Sequence, residues 1–287
     1  MLAVVVCCWG LTWPVHKAIL ETLPPLWLVA LRNAIGAAVL FAVLLARGGL
    51  VLPPRRDLPI MLSITLLHIV GFSLLMNFGL QRVSAGRSVV LAYTTPLWVT
   101  PGAALFLDER VTRRRGVGVV AGLLGLVVLF NPLAFDWTNG RAIVGNAAIL
   151  LAALMWAANI VHLRGHRWQG RAFDLMPWEL LLATLIVGPV ALASGRLPTI
   201  TWDARLVVLL LYSAILGSAV AYWAMAVAGR LLPAVTTSLG LLATPLVSIV
   251  VATLWLGERV TPPLVVAGIL ILGGVALGTV RERGGSA

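Results

Sequence analysis

Apolar residues run through this chain in long blocks, and the breaks between them are short and rich in Arg, Pro, Gly and Asp. Ten blocks reach the roughly 20 residues that a helix needs to cross the hydrocarbon core of a bilayer. They cover 2–20, 26–46, 58–80, 84–106, 116–134, 142–163, 175–194, 206–228, 234–256 and 262–280. None of the connections could hold a folded soluble domain. The pattern predicts an all-α integral membrane protein of ten transmembrane helices.

Some polar positions repeat. Residues 104–113 read ALFLDERVTR and residues 253–262 read TLWLGERVTP. One offset of 149 superposes Pro96 on Pro245, Glu109 on Glu258, Ser88 on Thr237, Thr95 on Thr244 and Gly125 on Gly274 without a gap. Weaker matches at nearby offsets pair Trp9 with Trp156 and Gly71 with Gly217. Five spans fall in each half, and five is odd. The second copy therefore enters the membrane from the opposite side, which makes an inverted repeat around a central cavity. The expected units are a first five-helix repeat over 1–134, an external linker at 135–141, and a second, inverted repeat over 142–287 that ends in a short cytoplasmic tail.

Charge sets the orientation. With the N-terminus in the cytoplasm, thirteen arginines lie on that side, among them Arg113, Arg114 and Arg115 after the first ERVT, and six lie on the other. The positive-inside rule then places both termini in the cytoplasm, and the expected location is the cell (inner) membrane. It also explains the repeat: the outward copy has Pro262 and Pro263 where arginines would oppose the topology. A net charge of +11 could suggest nucleic acid, but the basic residues are scattered over short loops and line no helix face.

With 60% hydrophobic and 11% charged residues, the composition fits no soluble domain. Cys7 and Cys8, adjacent inside the first apolar block, read as small hydrophobes rather than a disulfide or metal site. No basic region precedes that block, so it reads as a retained helix. The four histidines form no pair with a nearby acid and no metal-ligand spacing, so neither an enzyme, a cofactor nor a metal is expected.

Candidate chemistry sits inside the spans. Ser88 and Thr95 share a helix face, as do Thr237 and Thr244. Pro96 and Pro245 remove a backbone donor in mid-span and would kink the helix, a gating element that frees carbonyls toward a wet cavity. The alternative is that these hydroxyls bond their own backbone. Trp9, Thr12, Trp13 and His16 form one stripe of span one, and Trp156 and Asn159 repeat part of it in span six. Trp9, Trp13, Trp98, Trp156 and Trp223 lie deeper than interfacial anchors, with Tyr93 and Tyr222 at similar depth; they line either the cavity or the packing. His68, near the middle of span three, reads as a packing residue or a proton or substrate site. Arg32, two turns into span two, reads as snorkelling to the headgroups, Lys17 as a local pair with Glu21, and Glu179 as interfacial. No acid lies convincingly at mid-membrane, which favours a neutral or zwitterionic solute.

Trp9-Gly10 with Lys17, Arg32 within LVALRNAIGA, the mid-span TTP and ATP, and the two ERVT loops together resemble the EamA-type family of the drug/metabolite transporter superfamily. Among its members the chain is most similar to YddG-type exporters of aromatic amino acids. The resemblance implies ten helices in two inverted halves and a cavity lined by spans 1, 3, 4, 6, 8 and 9. It implies an exporter of aromatic or other neutral amino acids and related metabolites by alternating access. The alternatives are a multidrug or cationic compound exporter and a facilitative metabolite channel. The expected partners are a small-molecule solute and the lipid bilayer, without nucleic acid, in a monomer or homodimer. The expected substrate-binding residues are Trp9, Thr12, Trp13, His68, Ser88, Tyr93, Thr95, Trp98, Trp156, Asn159, Tyr222, Thr237 and Thr244.

Overall fold

The computed structural model describes residues 1–107, 111–130, 138–164, 166–194, 200–231 and 241–279. Among these every regular element is helical. The first half holds α1 (Leu2–Ile19), α2 (Pro25–Ala46), the stack α3 (Leu58–Ser63), π1 (Ile64–Phe72) and α4 (Ser73–Leu80), then α5 (Ala85–Ala92), α6 (Thr95–Phe106) and α7 (Arg113–Phe130). The second half holds α8 (Gly140–Arg164), α9 (Ala172–Ala193), the stack α10 (Ala204–Leu211), π2 (Tyr212–Val220) and α11 (Ala221–Leu231), then α12 (Ala243–Leu256) and α13 (Pro262–Thr279). Among the described residues seven helical segments are long and apolar enough to cross a bilayer; Ala243–Leu256 and Pro262–Gly278 are apolar but shorter. Glu109 of the first ERVT loop, the start of the expected ninth span with Thr237, residues 135–137 of the expected linker and the tail lie outside the described residues.

Local chemistry sets the boundaries. Pro25 opens α2, where its missing N–H costs nothing because a helix's first donors have no partner inside it. Ser84 opens α5 by accepting from the Arg87 amide, and Asp203 opens α10 by accepting from the Leu206 amide at 2.7 Å. The expected kink at Pro96 takes the form of a break. The helix stops at Ala92, Tyr93 and Thr94 form a turn, and α6 restarts with Pro96 in its first turn. Pro245 likewise sits third in α12. A proline is tolerated there for the same reason as at Pro25.

The halves pack against each other: α1 on α12, α6 on α8, α2 on α9 and α7 on α13. At the last of these, a Cβ added to Gly118 would stand 2.4 Å from the Gly274 carbonyl oxygen, and one on Gly274 would stand 2.4 Å from that of Gly118. The two backbones touch, and only glycine fits. Outside, Leu105, Leu185, Val208, Leu254 and Ile269 are exposed, an apolar surface whose solvent is lipid.

The second ERVT holds the halves at one end. Gly257 is left-handed (φ +67), and the Glu258 amide reaches back six residues to the Ala252 carbonyl. This closure carries the Glu258 carboxylate to the start of α5, where it accepts from the amides of Ala85 at 2.6 Å and Gly86 at 3.0 Å. A negative side chain there satisfies two orphan donors and opposes the positive end of the helix dipole.

Candidate functional site

π1 and π2 are wide helical segments set inside otherwise regular spans, a rare geometry that recurs at functional sites. Their first residues, Ile64 and Tyr212, stand 148 positions apart, as do their last, Phe72 and Val220. Nothing in ITLLHIVGF or YSAILGSAV favours a π over an α turn that we can identify. Each segment packs across the molecule: π1 on α8 and α9, π2 on α1 and α2. A glycine permits the approach in each case. A Cβ on Gly71 would meet Met155 of α8 at 2.3 Å, and one on Gly217 would meet the Thr12 hydroxyl at 2.8 Å.

An aromatic cluster lies where π1 meets α8 and α11. The His68 ring stacks on Trp156 with centroids 5.5 Å apart and planes 5° from parallel. Phe72 leans on the same indole at 5.2 Å. Tyr222 stands edge-on to His68 at 6.2 Å and to Trp9 of α1 at 5.8 Å. Four helical elements thus contribute five flat rings to one cluster. Such contacts are each worth about 0.5–1.5 kcal/mol beyond area burial.

A buried polar network surrounds π2. Asn77 donates to the Ser73 carbonyl at 2.8 Å, which turns its Oδ1 toward His16 Nδ1 at 2.9 Å. Nδ1 therefore carries the imidazole proton, and Nε2 accepts from the Ser213 hydroxyl at 2.7 Å. Ser218 donates to the Ser213 carbonyl at 3.1 Å and accepts from Arg32 Nε at 2.8 Å. Arg32 Nη2 also reaches the Gly217 carbonyl at 3.4 Å. Arg32 therefore does not snorkel to the headgroups: its side chain turns inward, to a residue 186 positions away.

Of the residues expected from sequence, Trp9, His68, Trp156 and Tyr222 come together in the aromatic cluster. Asn159, one turn beyond Trp156, is buried with its Oδ1 unpartnered. Thr244 and Ser248 are buried; the Tyr93 and Thr244 hydroxyls face each other, and the Ser248 hydroxyl has no hydrogen-bond partner among the described residues. Other hydroxyls go to nearby backbone: Thr12 to Cys8 O at 2.8 Å, Ser88 to Ser84 O at 2.7 Å, and Thr95 to Ala92 O at 2.7 Å. Trp13 belongs to the main core, and Trp98 packs with Val99 and Val161 while its indole donates to Thr94. Trp223 is 39% exposed on the outer surface of the bundle. Lys17 does not pair with Glu21; it donates to the carbonyls of Leu80 and Val83.

The sequence does not single out Phe72, Asn77, Ser213 or Ser218; it offers Arg32 only as a snorkelling side chain and His16 only for its place on the span-one stripe. The available signal was Ser213, Gly217 and Ser218, a small polar patch in an otherwise apolar span.

Two further features lie away from these rings. At the end that carries Glu258, a cavity of about 650 Å³ is lined by Lys17, Glu21, Gln81, Arg82 and Arg141, and it includes no residue of the aromatic cluster. At the opposite end the buried Asp57 carboxylate accepts from His166 Nε2 at 2.9 Å and from the amides of Gln169 and Gly170, the latter at 2.7 Å. Burial pushes the Asp57 carboxyl up, but the hydrogen bonds from His166, Gly170 and Gln169 outweigh it and hold the group below its ordinary value.

Comparison with known proteins agrees over nearly the whole chain. The uncharacterized transporter YoaV of Bacillus subtilis (strain 168) is 26% identical over 279 residues, covering 94% of this chain and 92% of its own length. A protein named "Probable terminal-alkyne amino-acid exporter" from Streptantibioticus cattleyicolor is 27% identical, covering 86% of this chain and 82% of its own. A riboflavin transporter of Rhizobium johnstonii matches at 35% over 119 residues, covering 41% and 37%. A crystal structure superposes with a TM-score of 0.66 at 20% identity, covering 97% of this chain and 98% of that one, a likeness of fold. The model of the EamA-like transporter family matches twice, over residues 1–131 and 143–280, and the chain belongs to that family of membrane transporters.

Proposed function

We propose that the protein is a ten-span carrier of two inverted five-helix repeats. It moves an amino acid with an aromatic or other apolar side chain, or a related metabolite, out of the cell by alternating access, with both termini in the cytoplasm. The observation that carries this reading is the five-ring wall of Trp9, His68, Phe72, Trp156 and Tyr222 beside the polar network of His16 and Arg32. Flat apolar groups stack on such a wall, and polar groups find donors next to it. The repeat is supported by the double family match, by the 148-residue spacing of π1 and π2, and by their reciprocal packing. The amino-acid class is supported by the exporter from Streptantibioticus cattleyicolor. A cationic drug is a poorer fit, because the guanidinium of Arg32 acts on both His68 and Tyr222, whereas the Glu179 carboxyl acts on Tyr222 alone.

The test uses purified protein in liposomes loaded with labelled tryptophan. Efflux is followed at equal pH on both sides and then with a proton gradient, with unlabelled threonine and methyl viologen as competitors. Saturable tryptophan efflux that methyl viologen leaves untouched is the expected result. Efflux no faster than from empty liposomes, with the protein shown to be folded, overturns the amino-acid reading.

A further inference from the structure

We infer that Arg32 is the anchor for a carboxylate on the transported solute, so that this protein selects organic acids and zwitterions carrying a flat apolar group over the corresponding amines. The inference rests on the central site proposed above and assigns its polar half. Arg32 lies well inside α2, where a charge is expensive unless it is compensated. Of its five N–H donors, one goes to the Ser218 hydroxyl and one to the Gly217 carbonyl. Both partners are neutral. Among the described residues no carboxylate comes within ion-pair distance of it; the carboxylates that pair are Asp57, with His166, and Glu21, with Arg205 at 3.8 Å.

The side chain is held in place. Ser218 accepts from Arg32 Nε while its own hydroxyl is committed to the Ser213 carbonyl, so the guanidinium cannot swing toward the headgroups without breaking its contacts to Ser218 and Gly217. It is also held next to the rings. Tyr222 follows Ser218 by one turn, and the charge of Arg32 acts on both Tyr222 and His68. A planar cation with free paired donors is the geometry that takes a carboxylate in two parallel hydrogen bonds. A solute whose ring lies on Trp156 and His68 and whose carboxylate reaches Arg32 would supply the missing counter-charge. A protonated amine in that place would meet repulsion.

Direct binding to purified protein in nanodiscs tests this with three labelled probes: tryptophan, indole-3-propionate (carboxylate without the amine) and tryptamine (amine without the carboxylate). In the wild type, tryptophan and indole-3-propionate are expected to bind about tenfold or more tighter than tryptamine, the difference one charge-assisted contact makes. Arg32→Gln should erase that preference by weakening the two acids and relieving the repulsion on tryptamine, and Arg32→Lys should recover part of it. If Arg32→Gln does not fold, Ser218→Ala releases the guanidinium from its support and should weaken the acids alone, by a smaller factor. Binding of indole-3-propionate without tryptophan would sink the amino-acid reading and leave the assignment of Arg32 standing. Equal binding of tryptophan and tryptamine, unchanged in Arg32→Gln, overturns the assignment and leaves the amino-acid reading standing. A folded wild type that binds neither acid overturns both.

Discussion

π1 and π2 have the same length and the same place in their stacks, yet their surroundings differ in kind. π1 carries His68 and Phe72 against Trp156, so its neighbourhood is aromatic. π2 carries Ser213 and Ser218 against His16 and Arg32, so its neighbourhood is polar and positively charged. A wide helical turn is a backbone device for bringing another element close, and it does not dictate what chemistry arrives. Two copies of one device can therefore build two unlike walls. The site proposed between them, with one flat apolar side and one cationic side, would suit a solute that is itself two-sided.

The comparison can be broken hardest at the glycines. Gly217→Val adds branched bulk where even a Cβ lies 2.8 Å from the Thr12 hydroxyl, so α1 and π2 must separate, and with them the contact of His16 to Ser213. A loss of about 2–4 kcal/mol is expected from overpacking and broken hydrogen bonds, measured as a drop of many degrees in the melting temperature in detergent and a failure to bind solute. Gly71→Val should do at least as much: the end of Met155 at 2.3 Å can give, but the Leu66 carbonyl oxygen at 2.7 Å belongs to the backbone of the same span and cannot. A clearly smaller effect at Gly71 would show that the backbone of π1 yields where that of π2 does not.

A smaller change removes the aromatic wall and spares the polar one. Trp156→Ala takes away the ring on which both His68 and Phe72 rest. Affinity for aromatic solutes should fall about 3- to 10-fold, the range of one stacking contact, with little change for aliphatic amino acids. Competition binding with tryptophan and leucine reads this directly; a parallel loss for both would mean that the indole supports the fold rather than the solute.

The smallest effect concerns how the two stacks begin. Asp203 caps its own helix, α10, whereas Asp57 reaches across to His166, Gln169 and Gly170. Because its carboxyl sits below the ordinary 3.8, the stabilisation it gives is present above that value and is lost as the pH falls through the lower, folded value. Melting temperature should therefore fall more steeply below about pH 4 in the wild type than in Asp57→Asn, which should already melt roughly 3–5 °C lower at neutral pH. Identical slopes would remove Asp57 from the acid response.

How much of this could be read from sequence varies with the distance over which each feature is determined. Helices follow from apolar runs of local residues, and Pro25, Ser84 and Asp203 mark starts that the structure contains. Trp156 and His68 could be picked out as deep aromatic and titratable side chains, but their parallel stacking depends on a contact 88 positions apart in the chain. The inward turn of Arg32 could not be read, because snorkelling and burial differ only in whether a partner such as Ser218 waits inside. Ser88 and Thr95 share a helix face as the spacing requires, yet their hydroxyls close onto their own helix, a choice made by local geometry. The π segments have no sequence rule that we know.

The contact between Gly118 and Gly274 has a consequence for how the two halves can be exchanged. Each glycine excludes a side chain only because the other backbone lies against it, so the pair behaves as one genetic unit shared between distant parts of the chain. A chimera that takes residues 1–131 from this protein and the remainder from a relative inherits half of that unit. It should assemble only when the donor also brings a glycine to the facing position, and a single Gly274→Ala change in an otherwise matched pair should be enough to predict which hybrids fail.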